Sequence, residues 1–107
     1  MGDPRRFDEF ANLVNHHFGE MKNQTVYDVA GGKGYLNLSL SERGFKNIIT
    51  FEPNMRNRNN RVTGIQYRPQ LFKYDSAPRE ARLVIGMHPD QASDHIISMR
   101  IYIKFHL

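Results

Sequence analysis

The sequence predicts an α/β fold, a three-layer sandwich around a mostly parallel sheet of about five strands, and three observations predict it. Short β-branched and aromatic runs alternate with stretches of helical periodicity, the pattern of strands joined by crossover helices. Glycines punctuate the ends of those runs, most densely at Gly31-Gly32-Lys33-Gly34. A chain of 107 residues, 39% hydrophobic and 24% charged, suits one soluble domain over residues 1–107 with a single core.

Asp3-Pro4 is a helix start, an N-cap oxygen followed by a fixed φ. Phe7, Phe10, Val14, Phe18 and Met21 then recur on one helical stripe that ends near Gly19. Thr25 to Ala30 reads as a buried first strand. The glycine turn follows, and then a helix from Tyr35 to Arg43 with Leu36 and Leu40 one turn apart and Gly44 as its stop.

Asn47 to Phe51 is the second strand, closed by Glu52-Pro53, and the crossover after it is short. Ile65 to Tyr67 is the third, with Pro69 beside it in the manner of an edge strand. Ala81 to Met87 is the fourth, apolar throughout at Leu83-Val84-Ile85 and ended by His88-Pro89. Asp90 caps a helix from Gln91 to about Ser98, and residues 100–107 alternate apolar with polar, a strand with one wet face.

Composition removes several functions. With no cysteine, disulfides, thiolate metal sites and thiol nucleophiles are excluded, and the five histidines have no ligand-like spacing with acids, so no metal site is expected. No apolar run reaches the length of a membrane span, and the first residues carry no apolar signal core, which makes the cytoplasm the expected setting. The net charge of +4 is uneven: Arg56, Arg58, Arg61 and Arg68 fall close together, a cluster that suits either a solvated loop or a polyanion such as RNA.

The chemistry is expected at the glycine turn. In an open α/β sheet the ligand site lies at the carboxyl ends of the strands, beside the switch in strand order. Glycine there admits backbone angles that other residues resist, and the following helix directs free amides at an anion. A phosphate-binding P-loop needs Ser or Thr directly after its Gly-Lys, and Lys33 is followed by Gly34. A dinucleotide fingerprint begun at Gly32 places Asn37 where the third glycine should let helix and strand pack closely.

The stretch from Val26 to Leu36 instead resembles motif I of the class I, Rossmann-like, S-adenosylmethionine-dependent methyltransferases, written D/E-x-G-x-G-x-G. Asp28, Gly32 and Gly34 match, and Ala30 stands at the first glycine position. The resemblance spans roughly residues 20 to 97 and implies strand order 3-2-1-4-5, without strands 6 and 7 of the full family fold. It implies that Ala30, Gly31, Gly32, Lys33 and Gly34 wrap the methionine part of the cofactor, and that Asp28 orients the loop or meets the ammonium group.

Glu52, eighteen residues beyond Gly34, corresponds to the family's acid at the end of strand 2, which accepts hydrogen bonds from the ribose hydroxyls. Dinucleotide enzymes place an acid similarly, and a surface helix cap is the plain structural alternative. By the same resemblance Pro53 and Met55 are expected to line the adenine pocket, and Asp75 corresponds to the acid that holds the adenine amino group, or else forms an Asx-type turn with Ser76 and Pro78. His88 is the candidate base or hydrogen-bond partner for a substrate, with packing as its alternative role.

The implied function is methyl transfer from S-adenosylmethionine to an oxygen or nitrogen acceptor. The competing functions are a non-catalytic methyltransferase-like module that binds cofactor or partner, and a nicotinamide-dependent oxidoreductase. RNA contact through Arg56, Arg58 and Arg61, and self-association through the C-terminal edge strand, are the partner expectations.

Overall fold

The chain folds from helix α1, Arg5–Phe18, through a single 3-10 turn at Gly19–Met21 into the central strand of a sheet. The computed structural model describes residues 5–29, 32–53, 62–72, 81–90 and 98–105. The apolar stripe of α1 behaves as its spacing predicts: Phe10, Val14 and Met21 are buried, and Phe7 and Phe18 lie half-buried against the same cluster. Asp3 and Pro4 lie outside the described residues.

The remaining elements are β1 (Thr25–Asp28), α2 (Tyr35–Glu42), β2 (Asn47–Phe51), β3 (Gln66–Arg68), β4 (Leu83–Asp90) and β5 (Ser98–Phe105). They form one sheet in the order β3-β2-β1-β4-β5, the expected Rossmann-like arrangement. The first four strands run parallel, with Val26 opposite both Ile48 and Leu83, and Thr50 opposite Tyr67. β1 stops at Asp28, two residues before its expected end, and β3 begins one residue late. Pro69 follows β3 at the margin of the sheet, where a missing amide proton costs no ladder bond.

Alternation along the strands divides the core in two. Val26, Ile48, Leu83 and Ile85 face α1 and α2 and pack with Val14, Leu36 and Leu40. Tyr27, Phe51 and Val84 face the other way and pack with Phe72 and Ala81, the three aromatic rings meeting with centroids 4.8–6.0 Å apart. Each large apolar side chain so buried contributes about 1.5–3 kcal/mol. Arg68 seals this second cluster, its guanidinium 5.5 Å from the ring centroids of Tyr27 and Phe51 and donating to the Tyr27 hydroxyl at 3.2 Å.

The stop of α2 follows from Gly44. At φ +96 it takes the left-handed turn, its N–H bonds the carbonyl of Ser41, and the Phe45 N–H bonds that of Leu40. This is a Schellman cap with the buried pair Leu40 and Phe45 as its apolar contact. On the flank toward α1, Arg43 joins the helices: its Nε donates to Asn12 at 2.7 Å and its Nη1 to the Ser39 carbonyl at 2.8 Å, while the buried Ser39 hydroxyl donates to Asp8.

The C-terminal part departs from expectation. β4 does not end at His88-Pro89 but continues to Asp90, because β5 pairs with it antiparallel from Leu83 opposite Phe105 to Asp90 opposite Ser98. The helix expected over Gln91 to about Ser98 lies outside the described residues, except that Ser98 opens β5. Alternation like that of residues 100–107 is common in an antiparallel strand with one wet face, whereas a parallel strand covered on both faces reads as a continuous apolar run. Ile103, placed on the expected buried face, is 39% exposed. It lies opposite Ile85, on the outermost strand, three positions along the sheet from β2, the strand on which α2 packs. Among the described residues no helix is long and apolar enough to cross a membrane.

Candidate functional site

β1 has β2 on one side and β4 on the other, so successive connections leave it in opposite directions and open a crevice at its carboxyl end. The glycine turn lies there. Gly32 has φ +52 and Gly34 φ +94, both in the region that favours glycine. Gly34 is also the N-cap residue of α2 and has no side chain to offer, so no side-chain cap covers the first-turn amides.

The two glycines serve different ends. The Gly32 N–H donates to Glu52 Oε1 at 2.8 Å, and a Cβ built on Gly32 meets nothing within 4 Å. Its missing side chain therefore borders open space, the setting in which a glycine lets a ligand approach the backbone. A Cβ on Gly34 would overlap the Tyr67 phenol oxygen and Ile65 Cδ1. Its missing side chain makes room for Tyr67 of β3 and for Ile65 just before that strand. The Tyr67 hydroxyl also donates to the Lys33 carbonyl at 2.7 Å, and the Val62 N–H reaches the same oxygen at 2.7 Å. The turn is thus fastened sideways to the segment leading into β3.

Below the turn lies a polar chain inside an apolar core. Asp28, the last residue of β1, is fully buried and accepts from the Thr50 hydroxyl at 3.3 Å. Thr50 in turn accepts from Asn37 Nδ2 at 2.8 Å, and Asn37 Oδ1 accepts from the Ser41 hydroxyl at 3.1 Å. Asn37 and Thr50 are themselves buried. Neither belongs to the expected site; the signal available in the sequence was a polar residue beside Leu36 on the inward face of α2, and another on the inward face of β2.

Glu52 is half-buried at the end of β2, with its backbone N–H on the Arg68 carbonyl at 3.0 Å, and Pro53 beside it is exposed. The structure thus brings Asp28, Gly32, Lys33, Gly34 and Glu52 to one end of the sheet. Ala30, Gly31, Met55 and Asp75 lie outside the described residues, as do Arg56, Arg58 and Arg61. His88 is a β4 residue opposite Arg100, three positions past Ile85, where the pairing with β1 ends. The β4–β5 hairpin therefore extends beyond the end of β1 on the side where the glycine turn lies. Among the described residues no three His, Asp or Glu groups converge as metal ligands. Comparisons with protein-family models, with curated proteins and with solved structures give no match.

Proposed function

We propose that this chain binds S-adenosylmethionine at the carboxyl ends of β1 and β2, as the cofactor-binding core of a class I type methyltransferase. The observation that carries the reading is the 2.8 Å bond from the Gly32 N–H to Glu52, which ties the motif I turn to the acid at the end of the neighbouring strand. Bound there, the cofactor supplies a methyl group activated on sulfonium. The residues present fit it. A carboxylate has about four acceptor sites, of which the Gly32 N–H takes one, and ribose hydroxyls are donors of the kind such a group accepts. Charge-assisted bonds of that kind contribute about 1.5–3 kcal/mol each. Holding Glu52 before the ligand arrives also reduces the entropy cost of binding.

Gly32 leaves the backbone open to the ligand, and the first-turn amides of α2 suit a carboxylate. Asn37 weighs against a nicotinamide dinucleotide. Where the dinucleotide fingerprint has a glycine for close helix–strand contact, a buried amide bonded to β2 fills the interface. On the acceptor side, His88 in the projecting part of β4 is the candidate proton acceptor, since imidazole titrates near neutrality.

Titration calorimetry with S-adenosylmethionine, its demethylated product and the nicotinamide cofactors tests the reading. Both sulfur ligands are expected to bind and the nicotinamides not to. Glu52→Ala is expected to weaken binding about ten-fold or more, the equivalent of one bond of about 1.4 kcal/mol. Absence of binding by wild-type protein, or unchanged affinity in Glu52→Ala, removes the assignment.

A further inference from the structure

We infer that Asn37 and Thr50 are positioning residues that hold the glycine loop in its binding conformation by tying both of its ends to one buried hydroxyl. The loop leaves β1 at Asp28 and enters α2 after Gly34. Asp28 accepts from Thr50 Oγ1, and Asn37, in the first turn of α2, donates to that same oxygen. The entry and exit of the loop therefore meet on one atom of β2. Ligand binding at the loop belongs to the function proposed above, whereas the geometry of the tether does not depend on it.

The hydrogen bonds of the tether run in sequence toward Asp28. The Thr50 hydroxyl has a single proton, and it is donated to Asp28 Oδ2. Thr50 must then receive from its other neighbour, which requires the NH2 side of Asn37. The Asn37 carbonyl oxygen is left to accept from Ser41, one turn along α2. The second Asn37 proton reaches the Ile48 carbonyl at the longer distance of 3.4 Å. The amide is thereby oriented at both ends: rotation of Thr50 breaks two bonds and rotation of Asn37 breaks three.

Stability alone does not call for this chain. A buried hydrogen-bonded pair contributes about 1 kcal/mol net, and apolar groups of the same shape do nearly as well. What an apolar pair cannot supply is a donor on Asp28 and a common anchor for the two loop ends. A shared anchor restricts the side chains bonded to it to one arrangement, and here those side chains belong to the residues that bracket Gly32 and Gly34.

Hydrogen exchange of the Gly32 amide in the ligand-free protein tests the inference directly. In Thr50→Val the amide is expected to exchange about ten-fold faster or more, the equivalent of about 1.4 kcal/mol of lost local protection. In Thr50→Ser, which keeps the hydroxyl, it is expected within about two-fold of wild type. Should Thr50→Val lose cooperative unfolding, the comparison moves to Asn37→Leu/Thr50→Val, in which the polar pair becomes apolar. There the fold is expected to persist while Gly32 stays unprotected, an outcome that a purely structural role for the pair would not produce. Wild-type protection of Gly32 in a folded variant lacking the Thr50 hydroxyl overturns the inference. If wild-type protein fails to bind S-adenosylmethionine yet Thr50→Val loosens the loop, the functional reading falls and the tether stands.

Discussion

Replacing Gly34 with Ala places a methyl group in space that β3 already fills. At φ +94 the backbone is in the left-handed region, which costs an L residue about 1–2 kcal/mol. The added Cβ would overlap the Tyr67 phenol oxygen and Ile65 Cδ1, and overpacking of this kind costs about 1–3 kcal/mol. The two effects together come to about 2–5 kcal/mol, a large share of the roughly 5–15 kcal/mol that holds a domain folded. Both obstacles are side-chain ends, so the steric part is recoverable. In a Tyr67→Ala background the phenol is gone, and Gly34→Ala should cost its backbone share and the overlap that Ile65 still makes. Urea unfolding of wild type, both single variants and the double variant measures the difference as a coupling energy, expected at about 1 kcal/mol or more. A cost for Gly34→Ala under about 1 kcal/mol, or one that is identical with and without Tyr67, would refute the assignment of this glycine to packing.

Gly32→Ala is expected to separate stability from binding: with nothing within 4 Å of the new methyl, only the left-handed cost of about 1–2 kcal/mol applies to folding. Its affinity for S-adenosylmethionine, by calorimetry, is expected to fall about ten-fold or more, and an unaltered affinity would place the ligand elsewhere. Arg43→Ala removes bonds to Asn12 and Ser39 and a 3.5 Å ion pair with Asp8; because that pair is partly in water, the loss is expected near 1–2 kcal/mol, read as a lower urea midpoint. Leu40→Ala, at a fully buried position shared by α2 and the sheet, is expected to cost about 2–5 kcal/mol by the same measurement.

Much of the site's location was legible in consecutive residues. The turn after β1 could be read from Gly31-Gly32-Lys33-Gly34, and Glu52 from its place directly after the apolar run Ile48 to Phe51. The roles inside that site were less legible. Gly32 and Gly34 look alike in a motif, and only the three-dimensional arrangement separates them, one bordering open space and the other abutting Tyr67. Asn37 entered the sequence argument as a mismatch to a dinucleotide fingerprint, and its bond to Thr50 thirteen residues away shows what it does instead. Alternation in residues 100–107 marks β5 as a strand with one wet face, and its place beside β4 is as expected, but the pattern does not say which way the strand runs.

By itself the sequence determined the succession of the described elements, their apolar faces and the helix stop at Gly44, because periodicity and turn chemistry reside in residues close along the chain. It also determined that a glycine turn follows the central strand. The tertiary structure alone decided that β4 continues to Asp90 beside an antiparallel β5, that Tyr67 bonds the Lys33 carbonyl from 34 residues away, and that Asp28 and Asn37 share the hydroxyl of Thr50. Periodicity tells a side chain which face it occupies; which neighbour waits on that face is settled only when segments far apart in sequence pack together and each buried polar group takes the partner within its reach.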